Sequence, residues 1–322
     1  MTTLLILTIS FILSIFIPKT KFNIFLFIKE LVEEIEDILK EKVYKENKKL
    51  EILLSIFSYI IILSIAFFIP LIIIMLLYKL NIVLGFIIEL ILFTLILNIR
   101  TTLEESSEIA NLLESNDNAN EIKEILERNV NIDTQDIEKN NIIKRTIEYS
   151  TISISENYIY LLLLFFIGGI PLCFVYKIIN TISYYASKEN TIISDYNSDN
   201  YFNLIIVKTN NIISILLSLF AVLSISLSLI INKYKVKEIF KHILENIKSS
   251  KDIIKTSISY SFNIMLGGEY EKDGEFHYLK EIGNENSIEY PNIKTVNRIM
   301  LIGSIISICI LVLASFFSLL FK

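Results

Sequence analysis

The chain of 322 residues is 53% hydrophobic, has a mean hydropathy of +0.56 and carries a formal net charge of −5. Its apolar residues are concentrated in blocks of Leu, Ile and Phe between charged stretches, which excludes a soluble globular protein. No basic stripe with interleaved aromatic residues is present, so we expect no nucleic-acid partner. The two histidines and two cysteines lie too far apart in the sequence to form a metal site, and none is predicted.

Six apolar blocks predict an all-α, polytopic integral membrane protein with about five to six spans. The blocks are Leu4–Ile17, Ile52–Leu77, Ile82–Leu97, Tyr158–Tyr176, Ile212–Ile231 and Ile299–Phe321. The second, fifth and sixth blocks reach the roughly 20 residues that an α-helix needs to cross a ~30 Å hydrocarbon core. The third block contains Glu89, whose carboxyl group we expect to face other helices, neutral or hydrogen-bonded. An intramembrane acid with a functional role is the alternative.

The distribution of basic residues predicts which segments face the cytoplasm. Segments 18–51, 98–157 and 232–298 hold all but five of the 30 lysine and arginine residues, and are therefore assigned to the cytoplasmic side. Apolar residues at three- and four-residue spacing predict amphipathic helices within these segments, at 27–43 and 118–130. Asn118 or Asn120 is the candidate N-cap of the second helix.

The block Tyr158–Tyr176 is interrupted in its middle. Gly168, Gly169 and Pro171 break the apolar run, and the polar sequence YKIINT follows directly. Such residues let the backbone bend in apolar surroundings, where protein or a wet cavity must satisfy the freed backbone groups. We therefore expect residues 158–176 to contain a helix break and to place a polar site near one membrane face. With this break the segment either crosses the membrane or re-enters it, and both remain open. A kink that serves packing alone is the alternative.

Short motifs follow one another in a fixed order from about Leu97 to the C-terminus. They comprise Asp-Thr, a basic residue and a Glu, a Gly-Gly-x-Pro break with Tyr-Lys-x-x-Asn-Thr, and Leu-Gly-Gly followed by further glycines. The residues are Asp133, Thr134, Lys144, Glu148, Gly168, Gly169, Pro171, Tyr176, Lys177, Asn180, Thr181, Leu266, Gly267, Gly268, Gly274, Ile282 and Gly283. This order resembles the CbiB/CobD family, the membrane-bound adenosylcobinamide-phosphate synthases of cobalamin biosynthesis, over about two-thirds of the chain.

The resemblance implies a ligase-type reaction in which adenosylcobyric acid and aminopropanol phosphate are joined with ATP to form an amide. It implies ATP and Mg²⁺ as cofactors, a corrinoid substrate, and a multi-pass location in the lipid bilayer of the bacterial inner membrane. Lys177 is the candidate phosphate contact, although a lysine that snorkels at the end of a span is the alternative. The implied site comprises Asp133, Glu148, Glu156, Lys177, Asn180, Thr181, Asn210 and Asn211, with the backbone shaped by Gly168, Gly169, Pro171, Gly267 and Gly268.

The sequence departs from the family pattern at its acidic positions. Asn210 and Asn211 stand where the family has paired aspartates. Asparagine is a poorer magnesium ligand than aspartate because it carries no charge. We therefore expect a divergent member with weak or absent catalysis, unless Asp133, Glu148 and Glu156 replace the missing acids.

The domain organisation that follows from the resemblance is a single membrane domain, 1–322. Its parts are poorly matching N-terminal spans (1–97), a cytoplasmic helical segment (98–157), the broken span and motif region (158–231), a second cytoplasmic segment (232–298) and a C-terminal span (299–322). The second functional hypothesis is a non-catalytic accessory or signalling protein like AmpE, a related membrane protein that shares the Gly-Gly break. A transporter is less well supported, because the hydropathy pattern shows no repeat.

Overall fold

The structure is a computed structural model that describes residues 2–17, 48–97, 99–115, 121–122, 124–126, 138–190, 201–272, 275–284 and 286–320. The predicted helix at 27–43 and most of the one at 118–130 lie outside these ranges. The candidate site residue Asp133 also lies outside them, as do its neighbour Thr134 and Gly274.

The described part of the chain is almost entirely α-helical, which confirms the predicted class. The helices are α1 (Thr2–Phe16), α2 (Lys48–Leu80), α3 (Ile82–Ile96), α4 (Ile99–Ser115), α5 (Lys139–Ile154), α6 (Tyr160–Asn190), α7 (Tyr201–Ile231), α8 (Lys237–Ile243), α9 (Ser250–Phe262) and α10 (Pro291–Leu320). A π-helical turn, Ser155–Ile159, joins α5 to α6, and a 3-10 turn, Leu244–Asn246, follows α8. Two strands, β1 (Leu266–Lys272) and β2 (Glu275–Ile282), form an antiparallel hairpin.

Within the described ranges, five helical stretches are long and apolar enough to cross a membrane, in keeping with the predicted number of five to six. They are Ile52–Leu80, Ile82–Ser115, Lys139–Tyr184, Tyr201–Ile231 and Pro291–Phe317, and the shorter apolar helix α1 precedes them. Many of their apolar side chains face outward; Phe68 and Met75 on α2 are each more than half exposed. A bilayer covers such surfaces, so the protein is a multi-pass membrane protein.

Several helices extend well beyond the apolar blocks that predicted them. The block Ile212–Ile231 forms only the later part of α7, which begins at Tyr201, and the final block begins eight residues after the start of α10 at Pro291. Hydropathy marks the part of a helix that suits lipid, whereas the backbone hydrogen bonds continue through polar turns at its ends. The apolar blocks therefore mark the lipid-suited parts of these helices and not their full lengths.

The packing divides the chain into two compact units. Unit 1 consists of Met1–Ser10, Thr20–Leu95 and Leu164–Ser214. Residues from α2, α6 and α7 form its buried core: Tyr59, Ile62, Ala66, Ile178, Ile179, Ile182, Phe202 and Ile206. The Phe93 ring stacks on the Phe165 ring with 4.0 Å between centroids, which joins α3 to the first part of α6 within this unit.

Unit 2 consists of Phe11–Lys19, Ile96–Leu163 and Ile215–Lys322. Helices α4, α5 and α10 pack on one another in this unit. Small and polar side chains join its helices: Ser228 Oγ on α7 donates to the Ile299 carbonyl oxygen on α10 at 2.8 Å. Gly303 brings α10 against the α7 backbone, because a Cβ there would lie 3.5 Å from the Ile225 Cα. Close contact through small residues is how helices associate in lipid, where no hydrophobic force drives them together.

The hairpin of unit 2 was not predicted, because the segment 232–298 was expected to be helical. Gly267 and Gly268 have positive φ angles of 92° and 98°, and the strand register shifts between Leu266 and Gly268. Both features are incompatible with a helix and typical of a β-bulge. The sequence between the strands is Asp-Gly, a strong short-range hairpin signal that sequence analysis overlooked.

Candidate functional site

The polar region of unit 1 begins at a break in α6. Gly168 has φ −146° and ψ 18°, and Gly169 has φ 66° and ψ −159°, so neither residue is helical. The angles of Gly169 lie in a region that residues with a Cβ rarely adopt. Pro171 suits the first turn of the helix that resumes, because it lacks the N–H group that would have no partner there.

Glu89 on α3 lies beside this break. Its Oε2 accepts a hydrogen bond from the Tyr78 hydroxyl at 2.8 Å, as expected for a carboxyl group that faces other helices. A Cβ built on Gly169 would lie 3.7 Å from Glu89 Oε1, so the carboxyl group faces the backbone of the break. The break therefore has a carboxyl group beside it, and sequence analysis did not connect Glu89 with the break.

Two predicted site residues, Asn180 and Asn210, are hydrogen-bonded to each other on the C-terminal side of the break. Asn210 Nδ2 on α7 donates to Asn180 Oδ1 on α6 at 3.2 Å, and Ser214 Oγ lies 3.5 Å from Asn210 Oδ1. Lys177, Asn180 and Thr181 share one face of α6, because residues three and four positions apart are neighbours on a helix. Asn211 follows Asn210 on α7, half-buried. The structure thus brings Asn180 and Asn210 into contact and places Lys177 and Thr181 on the same helical face.

A second polar cluster, in unit 2, joins two motifs that are far apart in sequence. Arg145 Nη1 donates to Glu148 Oε2 at 2.7 Å, and Arg145 Nη2 donates to the Gly268 carbonyl oxygen at 3.0 Å. The Gly267 N–H donates to Glu148 Oε1 at 2.6 Å. The Tyr270 ring lies 5.0 Å from the Arg145 guanidinium carbon. Helix α5 is thereby tied to the Gly-Gly bulge of β1.

Both charged groups of this cluster are buried. Arg145 is 2% exposed and Glu148 5% exposed, so each depends on the other and on the backbone of β1 for compensation of its charge. Burial also raises the pKa of Tyr270, which favours the neutral phenol next to the guanidinium group. Only glycine fits at position 267, because a Cβ there would lie 2.1 Å from the Lys280 carbonyl oxygen.

Arg145 and Tyr270 are the residues of this cluster that sequence analysis missed. The family pattern had directed attention to Lys144 as the basic residue before Glu148. The three-residue spacing of Arg145 and Glu148, which places both on one face of a helix, was the available signal. Glu156 lies in the π-helical turn Ser155–Ile159 of the same unit and is half-buried.

The described residues do not provide the acidic cluster that a protein-held magnesium ion would need. Within the described ranges, no group of three or more His, Cys, Asp or Glu side chains is placed to hold a metal ion. The Asn180 and Asn210 side-chain oxygens are neutral, and the first already accepts a hydrogen bond from the second residue. The pair therefore does not fit Mg²⁺, which proteins bind through charged carboxylate oxygens.

Comparisons with known proteins support the family resemblance. The sequence model described as CobD/Cbib protein matches residues 8–185, a range that contains the α6 break and the residues Lys177, Asn180 and Thr181. The chain is 23% identical over 285 residues to "Cobalamin biosynthesis protein CobD" of Clostridium perfringens (strain 13 / Type A), with 88% of each chain covered. No solved structure matches.

Proposed function

The chain belongs to the CobD/Cbib family, and from this premise we propose that it is a cobalamin biosynthesis protein of the CobD type in the bacterial inner membrane. The reaction proposed for it is ligase-type amide formation between adenosylcobyric acid and aminopropanol phosphate. ATP would be its cofactor and a corrinoid its substrate.

One observation supports this proposal more than any other: the family match includes both the break in α6 and the polar face that follows it. Lys177, Asn180 and Thr181 lie on the helix that resumes after Pro171, with Asn210 hydrogen-bonded to Asn180. A broken helix that is followed by a polar face is a common way to build a binding site within a membrane protein. Lys177 would contact a substrate phosphate as a point charge.

The proposal includes weak or absent catalysis. The residues that shape the backbone are retained at Gly168, Gly169 and Gly267, whereas neutral asparagines occupy the paired acidic positions. Glu148 is occupied by Arg145 and the Gly267 N–H, and is therefore a poor replacement for a missing metal ligand. A chain under selection for its scaffold alone would show this combination.

Complementation tests the proposal. The chain is expressed in a bacterial strain that lacks its own adenosylcobinamide-phosphate synthase, and growth is measured with cobyric acid as the corrinoid source. The Clostridium perfringens relative is the positive control, and immunodetection in the membrane fraction shows that the chain is present. We expect little or no growth. Robust growth would contradict the loss of catalysis and assign the reaction to carboxylates such as Glu156 or Asp133.

The second hypothesis is a non-catalytic accessory or signalling protein like AmpE. It is supported by Glu148, whose two carboxylate oxygens are taken up by Arg145 and the Gly267 N–H. Ligand binding separates it from a degenerate synthase. A synthase-derived site would still bind ATP or a corrinoid, and Lys177→Ala would weaken that binding at least tenfold by removing a phosphate contact. An AmpE-like protein would bind neither ligand, with or without the substitution.

A further inference from the structure

Helix α8 and the turn after it carry two apolar rows, and only one of them is covered by the protein. Ile239 and Ile243 are buried against the rest of unit 2. Phe240, Leu244 and Ile247, called here the outer row, are 58%, 72% and 40% exposed. Spacing of four and three residues places the outer row on one side of the helix. Such a contiguous exposed apolar row marks an interaction surface.

The helix is held firmly with this row outward. The His242 ring stacks on the Tyr260 ring of α9 with 4.1 Å between centroids. The Tyr234 ring, in the link between α7 and α8, stacks on the Phe262 ring at 4.7 Å. The outer row is therefore exposed because α8 packs through its opposite side, and a local rearrangement that buried it would disrupt these contacts.

The outer row lies just beyond the end of a membrane span. Helix α7 ends at Ile231, and both Ile230 and Ile231 are more than half exposed. Lys233 has a φ of 65°, and the Tyr234 N–H donates to the Leu229 carbonyl oxygen at 2.9 Å, which ends the helix in a tight left-handed turn. Only five residues separate α7 from α8, so the outer row follows directly after the lipid-facing end of α7.

Lysines border the outer row. Residues 232–251 contain six lysines and two glutamates. Lys237 and Lys241 are exposed and lie next to the outer row on the surface of α8, whereas Glu238 and Glu245 lie on the other side of these lysines. A helix that rests on an anionic membrane surface shows this arrangement, with apolar side chains toward the acyl chains and lysines at the headgroups.

We propose that α8 is an interfacial helix: Phe240, Leu244 and Ile247 insert into the bilayer that α7 spans, and Lys237 and Lys241 bind its anionic lipid headgroups. The helix would fix the depth of α7 in the membrane and the position of α9 and the hairpin above it.

The sequence contains no tryptophan, so a single substitution to tryptophan gives a fluorescent reporter without background from other tryptophans. Phe240→Trp places the reporter in the outer row. Glu238→Trp is the matched control on the same helix, about 160° away around the helix axis. It removes only an exposed ion pair at 4.0 Å with Lys241 and a contact with His242, and such exposed pairs contribute little to stability. Both full-length variants are reconstituted into vesicles of phosphatidylcholine with phosphatidylglycerol.

We expect the Phe240→Trp reporter to emit at shorter wavelength than the control, to be quenched by lipids brominated on their acyl chains, and to be protected from aqueous acrylamide. The Glu238→Trp reporter should behave in the opposite way. Acrylamide quenching of the Phe240→Trp reporter without lipid quenching would overturn the proposal. Protection of that reporter from both quenchers would also overturn it, because protein and not lipid would then cover the outer row.

The role of the lysines has its own test. In the Phe240→Trp background, Lys237→Gln with Lys241→Gln should reduce lipid quenching in anionic vesicles to the level found in pure phosphatidylcholine vesicles. Lys294→Gln, an exposed lysine on α10, is the control and should leave the quenching unchanged. Equal quenching in both lipid mixtures before any lysine is replaced would show that headgroup charge plays no part.

Discussion

The buried pair of Arg145 and Glu148 illustrates how single residues tie distant parts of this chain together. The two side chains are hydrogen-bonded to each other, and each is also hydrogen-bonded to a backbone group of the Gly-Gly bulge. An ion pair of this kind contributes little net stability when intact, but it is costly to break, because the remaining charge is left buried without compensation.

Arg145→Met should therefore lower the free energy of unfolding by about 3–5 kcal/mol. The expected measurement is a thermal or denaturant unfolding curve of the purified protein in detergent. Lys294→Met is the control, because its ion pair with Glu114 is largely exposed and should be worth less than about 1 kcal/mol. Equal effects of the two substitutions would contradict the structural role given to Arg145.

The two glycines of the bulge should differ in their tolerance of alanine. Gly267→Ala would bring a Cβ to 2.1 Å from a backbone oxygen, whereas at Gly268 the nearest atom, Glu281 Oε1, is at 3.4 Å on a flexible side chain. Both substitutions carry the roughly 1–2 kcal/mol cost of a positive φ angle. Protease resistance of the hairpin should fall much further for Gly267→Ala. A similar fall for both would show that backbone conformation alone matters.

Among the helices, α6 is the one whose irregularity was predicted from the sequence. Two glycines and a proline within an apolar run predicted a break, and the backbone angles at Gly168 and Gly169 are non-helical. The hairpin had a local signal, the Asp-Gly pair between its strands, which was overlooked. The contacts of Arg145 and Glu148 with the bulge could not be found in the same way, because their partners lie more than 100 residues away in sequence. Local patterns identify spans and kinks, whereas the pairing of distant polar groups is decided by the folded chain.

Gly169→Ala should destabilise α6 more than Gly168→Ala does. Gly169 has a φ of 66°, while the φ of −146° at Gly168 is available to alanine. A Cβ at 168 would lie 2.4 Å from Leu172 Cδ1 and 2.6 Å from Leu172 Cγ, so the Leu172 side chain must change its rotamer, but no backbone atom is displaced. Melting temperatures in detergent should show the larger decrease for Gly169→Ala, corresponding to about 1–3 kcal/mol. The opposite order would mean that the Leu172 contact, and not the backbone angle, limits this position.

For the whole molecule, composition and hydropathy were sufficient to predict a multi-pass helical membrane protein, and the five apolar stretches agree. The candidate site was less accessible. Asn180 and Asn210 were both named from the sequence and are hydrogen-bonded, but the position of Glu89 beside Gly169 was not foreseen. A lone intramembrane acid offers no sequence signal for the backbone it will face.

The predicted orientation can be tested by labelling introduced cysteines in intact cells with a membrane-impermeant maleimide. Ser287→Cys lies in the segment assigned to the cytoplasm and should react only after the cells are opened, whereas Leu80→Cys, at the C-terminal end of α2, should react from outside. Both positions are exposed. The exposed Cys309 is first replaced by serine to remove its signal. The reverse labelling pattern would invert the topology.

The contact between Glu148 and Gly267 also has a consequence for biosynthesis. The two residues are separated by 119 positions. At the usual 5–20 residues per second of translation, Arg145 and Glu148 leave the ribosome roughly 6–24 s before their backbone partners exist. During that interval the two side chains have only each other and the solvent as partners. The nascent protein therefore carries an uncovered charge pair on α5 until the hairpin is made, and the final helix, α10, is translated only after that point.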